Sequence, residues 1–157
     1  QTGNRRYREW LEQGNQVPMV PGAKTLLIQL SRLGVPVAVA SSSSQQQIQA
    51  NLAACGVLEL LPVRVAGDQV RWGKPAPAIY LRAAQLLGIQ PDRCVAIEDS
   101  AAGVQSANAA GMACVGLQNA SSGAQDLTPA DLVVRSLAEL TPNRLRELIE
   151  SGERARQ

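Results

Sequence analysis

The chain of 157 residues contains no histidine and no phenylalanine, and aromatic residues make up only 3% of it. The three cysteines are far apart, have no Cys-x-x-Cys spacing and have no histidine with which to complete a zinc site. The scarcity of aromatic rings disfavours a platform on which nucleic-acid bases stack. We therefore expect Cys55, Cys94 and Cys114, which lie among apolar neighbours, to be free thiols in the core of a protein from a reducing compartment.

The sequence also lacks a long apolar run and a concentration of charge. No stretch approaches the ~18 apolar residues of a membrane-spanning helix, and the polar start of the chain has no hydrophobic signal-peptide segment. Lysine and arginine number 15 against 13 acidic residues, for a net charge of +2, and the basic residues are scattered. These features predict a cytoplasmic protein that binds neither nucleic acid nor membrane.

Strand and helix patterns alternate along one domain-sized chain. Continuous apolar runs predict strands over residues 35–41, 62–67, 94–98, 113–117 and 130–134. Helical spacing predicts helices over residues 2–14, 23–33, 45–55, 78–87 and 101–110, and a last one after Thr141. Apolar strands connected by helices predict an α/β fold with a parallel sheet that is covered on both faces.

Several helix boundaries carry local signals. Pro21 and Pro77 suit the first turn of a helix, because a missing N–H costs little there. Ser44 is a suitable N-cap, and Gly34 and Gly88 are placed to end helices in the left-handed conformation. These signals predict where the crossover helices begin and end.

Polar residues follow three of the predicted strands. Ser41 and Ser42 follow the first, Lys74 lies in the loop beyond the second, and Glu98 and Asp99 end the third. Ligands of open α/β sheets bind at the carboxyl ends of strands, so these side chains form one candidate site. Hydroxyls at a helix N-terminus and a lysine suit a phosphate, and paired carboxylates suit Mg²⁺. Taken singly, each feature has an ordinary structural explanation, as a helix cap, a turn or an acidic helix start.

Three segments in this order, VAVASSS, GKPAPAIYL and VAIEDSAAGVQSANAAGM, resemble the haloacid dehalogenase superfamily. The resemblance is to its phosphoglycolate phosphatase and β-phosphoglucomutase-like branch, and it extends over about residues 17–140. It implies a Rossmann-like parallel sheet with helices on both faces. It also implies a Mg²⁺-dependent phosphatase or phosphomutase that acts on a small phosphorylated metabolite.

The resemblance implies a role for each candidate residue. Ser41 would bind the transferring phosphoryl group together with the backbone N–H of Ser42. Lys74, the one residue of this set that is implied to be catalytic, would also bind the phosphate and offset its negative charge. Asp99 would ligate magnesium, and Glu98 would act on the metal through a bound water. The family also implies a cis peptide bond between Lys74 and Pro75.

One departure from the family pattern concerns the nucleophile. The family uses an Asp-x-Asp motif at the end of its first strand, and no such motif occurs in these 157 residues. The chain alone is therefore expected to be inactive. Residues 1–16 resemble the last helix of a cap domain, residues 17–140 an incomplete core, and residues 141–157 a C-terminal helix with a charged tail. The start at Gln1 favours a fragment of a longer protein.

The absent strand would be central, between the strands that end at Ser41 and Glu98. We expect one of three states: another polypeptide, such as the missing N-terminal segment, fills the gap; the two strands close on each other; or this part of the chain is partly disordered. An alternative function is a non-catalytic module that keeps a phosphate and Mg²⁺ pocket. A receiver-like or nucleotide-binding domain is less favoured, because no G-x-G-x-x-G follows the first strand.

Overall fold

The computed structural model describes Glu9, Gln13 and residues 18–120 and 123–155. Apart from Glu9 and Gln13, the helix predicted over residues 2–14 lies outside the described residues. The remaining elements follow in the order α1 (Ala23–Arg32), β1 (Ala38–Ser41), α2 (Gln45–Ala54), β2 (Val63–Ala66), α3 (Ala78–Leu87), β3 (Val95–Glu98), α4 (Ala101–Ala109), β4 (Ala113–Leu117), β5 (Leu132–Val134) and α5 (Pro142–Ala155). The predicted alternation of strands and helices is confirmed.

The strands form two parallel sheets. β1 pairs with β2 from Ala38 opposite Val63, and the second sheet has the order β3-β4-β5. Parallel strands need crossover connections, and α2 and α4 supply them between β1 and β2 and between β3 and β4. The carboxyl ends of the strands therefore point the same way within each sheet.

Two apolar clusters cover the sheets from opposite sides. One joins α3 and α4 to the strands through buried residues that include Val65, Ile79, Ala96 and Val104. The other joins α1 and the region before α5 to β4 and β5, and it includes Leu26, Leu30, Val115 and Val134. Because the first cluster contains residues of both sheets, the two sheets share one core.

A gap separates β1 from β3 in the part of the chain that the structure describes. β2 lies on one side of β1 and β4 on one side of β3, and neither strand has a partner on its other edge among these residues. All four residues of β1 are half-buried and Ile97 in β3 is 37% exposed, whereas all five residues of β4 are buried. The possibility that β1 and β3 close directly on each other is therefore wrong for this structure.

The helix boundaries follow the predicted capping signals, with two exceptions. Gly34 and Gly88 follow helices with φ of 68° and 69°, the left-handed conformation that glycine adopts without strain. Neither proline lies in the first turn of its helix: Gly22 is the N-cap of α1, which begins at Ala23, and Pro77 is itself the N-cap of α3, which begins at Ala78. β1 was predicted to begin at residue 35. It begins at Ala38, because its pairing with β2 starts there. Within the described residues, every helix is too short or too polar to cross a membrane.

Candidate functional site

The loop after β1 is held by its own serines. The Ser41 hydroxyl oxygen accepts a hydrogen bond from the Ser43 N–H at 3.2 Å, and the Ser43 carbonyl accepts one from the Gly67 N–H at 2.9 Å. The Ser44 hydroxyl caps α2 by accepting from the Gln47 N–H at 3.3 Å, as the sequence predicts. Ser41 keeps its hydroxyl proton to donate, and it lies beside the N-terminus of α2, where an anion is stabilised.

The turn after β2 contacts this loop and restricts its position. A Cβ atom at Gly67 would lie 2.3 Å from the Ser42 carbonyl oxygen, so only glycine allows the two backbones to approach this closely. The Asp68 carboxylate accepts from the Gln45 N–H at 3.3 Å, at the start of α2. The loop that carries Ser41 and Ser42 is thus fixed by contacts with the neighbouring strand's turn.

Lys74 connects the ends of β1 and β3. The peptide bond between Lys74 and Pro75 is cis, as predicted. The Lys74 side chain is 12% exposed, and its Nζ donates to the Ala40 carbonyl oxygen at 3.2 Å and to Glu98 Oε1. Its ammonium therefore lies where the carboxyl ends of the two sheets meet.

Glu98 is a buried carboxylate held from several directions. Its Oε1 accepts from both Lys74 and the Tyr80 hydroxyl, and its Oε2 accepts from the Ser100 hydroxyl at 3.3 Å. A Cβ atom at Gly103 would lie 2.0 Å from this carboxylate, so α4 can pack here only with glycine at that position. Since a carboxylate oxygen can accept two hydrogen bonds, Oε2 keeps one site for a further donor such as a water.

Tyr80 is part of the site although the sequence analysis did not select it. Burial, together with the negative charge of Glu98, raises the pKa of Tyr80 above its ordinary value, so its hydroxyl keeps the proton that it donates. The Lys74 Nζ also lies 5.2 Å from the centroid of the Tyr80 ring, within the range of a cation–π contact. In the sequence, Tyr80 has the spacing of an ordinary core residue, but a buried tyrosine needs a partner for its hydroxyl.

Asp99 directly follows Glu98 at the end of β3. It is exposed, and among the described residues no hydrogen bond or ion pair occupies its carboxylate. The described residues contain no group of three or more histidine, cysteine or acidic side chains arranged to hold a metal. Mg²⁺ usually needs one or two carboxylates and completes its shell with water and phosphate oxygens. The Asp99 carboxylate fits such a cation as a direct ligand. The free position on Glu98 Oε2 fits it by accepting a hydrogen bond from a water of the cation.

Other features lie away from the site or are unreactive. A cavity of about 410 Å³ lies at the opposite, amino end of β1 and is lined mainly by apolar side chains such as Leu27, Val35 and Leu86. The three cysteines form no disulfide, but of the three only Cys114 is buried as predicted, whereas Cys55 and Cys94 are half-buried. Burial raises the pKa of Cys114 to about 12. The carboxyl ends of β1 and β3 are therefore where the polar groups converge.

The structure brings together the ends of the strands that carry all five predicted site residues. Lys74 contacts β1 one residue before Ser41, and it contacts Glu98 directly. Ser42, which follows Ser41, and Asp99, which follows Glu98, are both exposed. The sequence did not predict that Lys74 and Glu98 pair, and it left out Tyr80, Ser100 and Gly103.

Comparisons with known proteins identify the family of this chain. The family of haloacid dehalogenase-like hydrolases matches residues 4–111. Hexitol phosphatase A of Escherichia coli is 39% identical over 125 residues, which is 80% of this chain and 57% of that protein. The chain thus spans little more than half the length of this curated relative.

Solved structures of other proteins are also similar to this chain. A variant of CbbY from Rhodobacter sphaeroides in complex with xylulose-(1,5)-bisphosphate superposes with a TM-score of 0.80 and 32% identity, over 86% of this chain and 62% of that one. A haloacid dehalogenase family hydrolase of Deinococcus radiodurans with bound phosphate and sodium superposes with a TM-score of 0.74 and 36% identity, over 82% of this chain and 59% of that one. The chain therefore belongs to the haloacid dehalogenase-like hydrolases, in the branch of the phosphoglycolate phosphatase and β-phosphoglucomutase-like proteins.

Proposed function

We propose that the polar residues at the carboxyl ends of β1 and β3, together with Lys74, form the phosphoryl-binding part of a Mg²⁺-dependent phosphatase or phosphomutase. Its substrate would be a small phosphorylated metabolite of the sugar phosphate class. The observation that carries the proposal is the position of the Lys74 ammonium, between the carboxyl end of β1 and Glu98. The names of the similar proteins, a hexitol phosphatase and a protein bound to a sugar bisphosphate, support the substrate class.

The chain's own residues would bind the phosphoryl group through hydrogen-bond donors. The Ser41 hydroxyl and the Ser42 N–H lie at the N-terminus of α2, whose dipole favours an anion. Lys74 uses two of its three N–H groups on Ala40 and Glu98, and the third is available to a phosphoryl oxygen. Because the ammonium is largely withdrawn from water, its attraction for an anion is stronger than that of an exposed lysine.

Asp99 would hold the magnesium ion directly, and Glu98 would hold a water of the ion through Oε2. When bound, the ion offsets negative charge on the phosphoryl oxygens. Glu98 would thereby connect Lys74 to the metal-bound water, because Oε1 contacts the lysine and Oε2, which accepts from Ser100, keeps a free position.

The nucleophile must come from elsewhere. An aspartyl phosphate requires an activated carboxylate, and Asp99 is assigned to the metal while Asp68 supports the start of α2. We propose that the partner is an extended polypeptide segment that occupies the gap between β1 and β3 and ends in an aspartate near Lys74. The edges of β1 and β3 that have no strand partner among the described residues would supply its backbone hydrogen bonds, and the ammonium would attract its carboxylate.

Co-expression tests this proposal. The chain is produced with a short apolar segment that ends in Asp-x-Asp, and phosphate release from a panel of sugar phosphates is measured with Mg²⁺. The matched control is the same segment with its first aspartate replaced by asparagine. Amide hydrogen exchange in β1 and β3, compared with that in β4, reports whether the segment binds.

The outcomes separate the two candidate functions. Slower exchange with phosphate release that depends on the aspartate supports the proposed enzyme. Slower exchange and phosphate binding without release favours the non-catalytic module, for which the absence of Asp-x-Asp from the sequence is the supporting observation. Unchanged exchange in β1 and β3 would contradict the proposed partner.

A further inference from the structure

Tyr80 contacts both members of the Lys74–Glu98 pair. Its hydroxyl donates to Glu98 Oε1, the same oxygen that Lys74 contacts, and its ring centroid lies 5.2 Å from Lys74 Nζ. Tyr80 belongs to α3, six residues after Lys74, and it is 7% exposed. One side chain of the core therefore acts on both the cation and the anion of the site.

The contacts of Lys74 leave its ammonium one free direction. Two N–H groups are taken by the Ala40 carbonyl and Glu98, and the face of the Tyr80 ring lies to another side. A lysine side chain has several rotatable bonds and loses much rotamer freedom when it is fixed. The ring and the two acceptors together restrict where the third N–H can point.

Glu98 in turn depends on Tyr80 for its position. Ser100 holds the other carboxylate oxygen, and the backbone at Gly103 closes off the side toward α4. Without the Tyr80 hydroxyl, Oε1 would keep Lys74 as its one donor among the residues that the structure describes. The carboxylate could then rotate and carry the ammonium with it.

We propose that Tyr80 is a positioning residue for Lys74, whose ring and hydroxyl together direct the remaining N–H of the ammonium toward a bound phosphoryl group. This inference rests on the proposed phosphoryl-binding function of Lys74. Tyr80 would not touch the phosphoryl group and would act through Lys74 and Glu98. The proposal extends the site from the loops at the strand ends into α3.

The alternative is that Tyr80 only fills the core. It packs in the same cluster as Ile79, Ala83 and Val104, and a phenylalanine would fill the same space. Tyr80→Phe keeps the ring and removes the hydroxyl, so it separates the two explanations. Ser106→Ala is a matched control, because it removes another buried hydroxyl, which donates to the Ala76 carbonyl at 2.7 Å and does not contact Glu98 or Lys74.

Side-chain NMR provides a readout that core packing alone does not change. The chain has two lysines, the exposed Lys24 and the largely buried Lys74, so protein labelled with ¹⁵N at lysine gives two ammonium signals. Lys74→Arg assigns the buried one. Each variant is then titrated with inorganic phosphate in the presence of Mg²⁺, and thermal unfolding checks that it is folded.

We expect the wild-type Lys74 ammonium to be protected from exchange with water and to shift on addition of phosphate. In Tyr80→Phe the signal should exchange faster and lie closer to that of Lys24, and phosphate affinity should fall about tenfold, which corresponds to about 1.4 kcal/mol. Ser106→Ala should match the wild type in both properties. In a Glu98→Gln background, Tyr80→Phe should have little further effect, because the two side chains act through one contact.

The results distinguish this inference from the function on which it rests. If Tyr80→Phe is folded and leaves the Lys74 signal and phosphate affinity unchanged, Tyr80 is a core residue and the inference is overturned. If the Lys74 signal changes in Tyr80→Phe but the wild type binds no phosphate, the hold of Tyr80 on Lys74 is supported and the proposed function is contradicted.

Discussion

The Nζ atom of Lys74 lies 3.2 Å from the carbonyl oxygen of Ala40, and by this contact the side chain that pairs with Glu98 also reaches the end of β1. Each of the two sheets thereby contributes one acceptor to the same ammonium. The contact explains how a fold with an open gap still presents polar groups from both sheets at one place. We therefore expect Lys74 to be important for stability.

Replacing Lys74 with alanine should destabilise the chain by about 3 kcal/mol, because a buried carboxylate at Glu98 then loses its charged partner. Chemical denaturation measures the loss. Lys24→Ala removes the other lysine, which is exposed, and should change stability by less than about 0.5 kcal/mol. Adding Glu98→Gln to Lys74→Ala should recover part of the loss. Equal stability of the two lysine variants would contradict the buried ion pair.

Replacing Gly103 with alanine should destabilise the chain by roughly 2 kcal/mol, since the new Cβ would lie 2.0 Å from the Glu98 carboxylate. A loss of stability would be informative, because alanine in a helix is ordinarily more favourable than glycine by about 1 kcal/mol. Gly73→Ala, with no atom within 4 Å of its Cβ position, is the matched control and should be nearly neutral. A stabilised Gly103→Ala variant would show that Glu98 does not occupy this position.

Asp99→Asn should weaken Mg²⁺ binding by at least about tenfold when phosphate is present, because asparagine lacks the negative charge that the cation requires. Isothermal titration calorimetry measures the affinity. Asp92→Asn removes an exposed carboxylate at the amino end of β3 and should have no such effect. If both variants bind the cation as the wild type does, Asp99 is not its ligand.

Much of the fold was predictable from local patterns. Gly34, Ser44 and Gly88 mark helix boundaries with signals that depend on a few neighbouring residues, and the structure places them as the sequence indicates. The extent of β1 was less predictable, because its pairing with β2 decides where it begins. The gap beside β1 was expected from the family resemblance, but whether the neighbouring strands would close it depends on packing of the whole core.

The site was predictable where position along the strands determines it. Ser41, Lys74 and Glu98 were selected because they follow strands that meet at one edge of the fold. Tyr80 and Gly103 were not, because a tyrosine on a helical apolar face and a glycine in the first turns of a helix have ordinary explanations. Their roles depend on which side chain lies opposite them, and local sequence does not contain that information.

Stability should fall as pH rises above about 9, with Cys114 as one cause. Burial raises the pKa of its thiol from 9.0 to about 12, so between these values the folded chain keeps a proton that the unfolded chain has released. The free energy of unfolding then decreases with pH, whereas the contribution of this group is complete below pH 9. Denaturation from pH 8 to pH 11 measures the slope, which should be smaller in Cys114→Ala. Identical slopes would show that the thiol is not shielded from water.

We propose that Ser41, Lys74 and Asp99 form one site for a phosphoryl group and Mg²⁺. Calorimetric titration of the chain with inorganic phosphate, with and without Mg²⁺, measures this binding. We expect one saturable phosphate site per chain that is tighter with Mg²⁺, is weakened in Ser41→Ala and in Lys74→Ala, and is unchanged in Lys24→Ala. Absence of binding, or binding that none of the site variants alters, would contradict it.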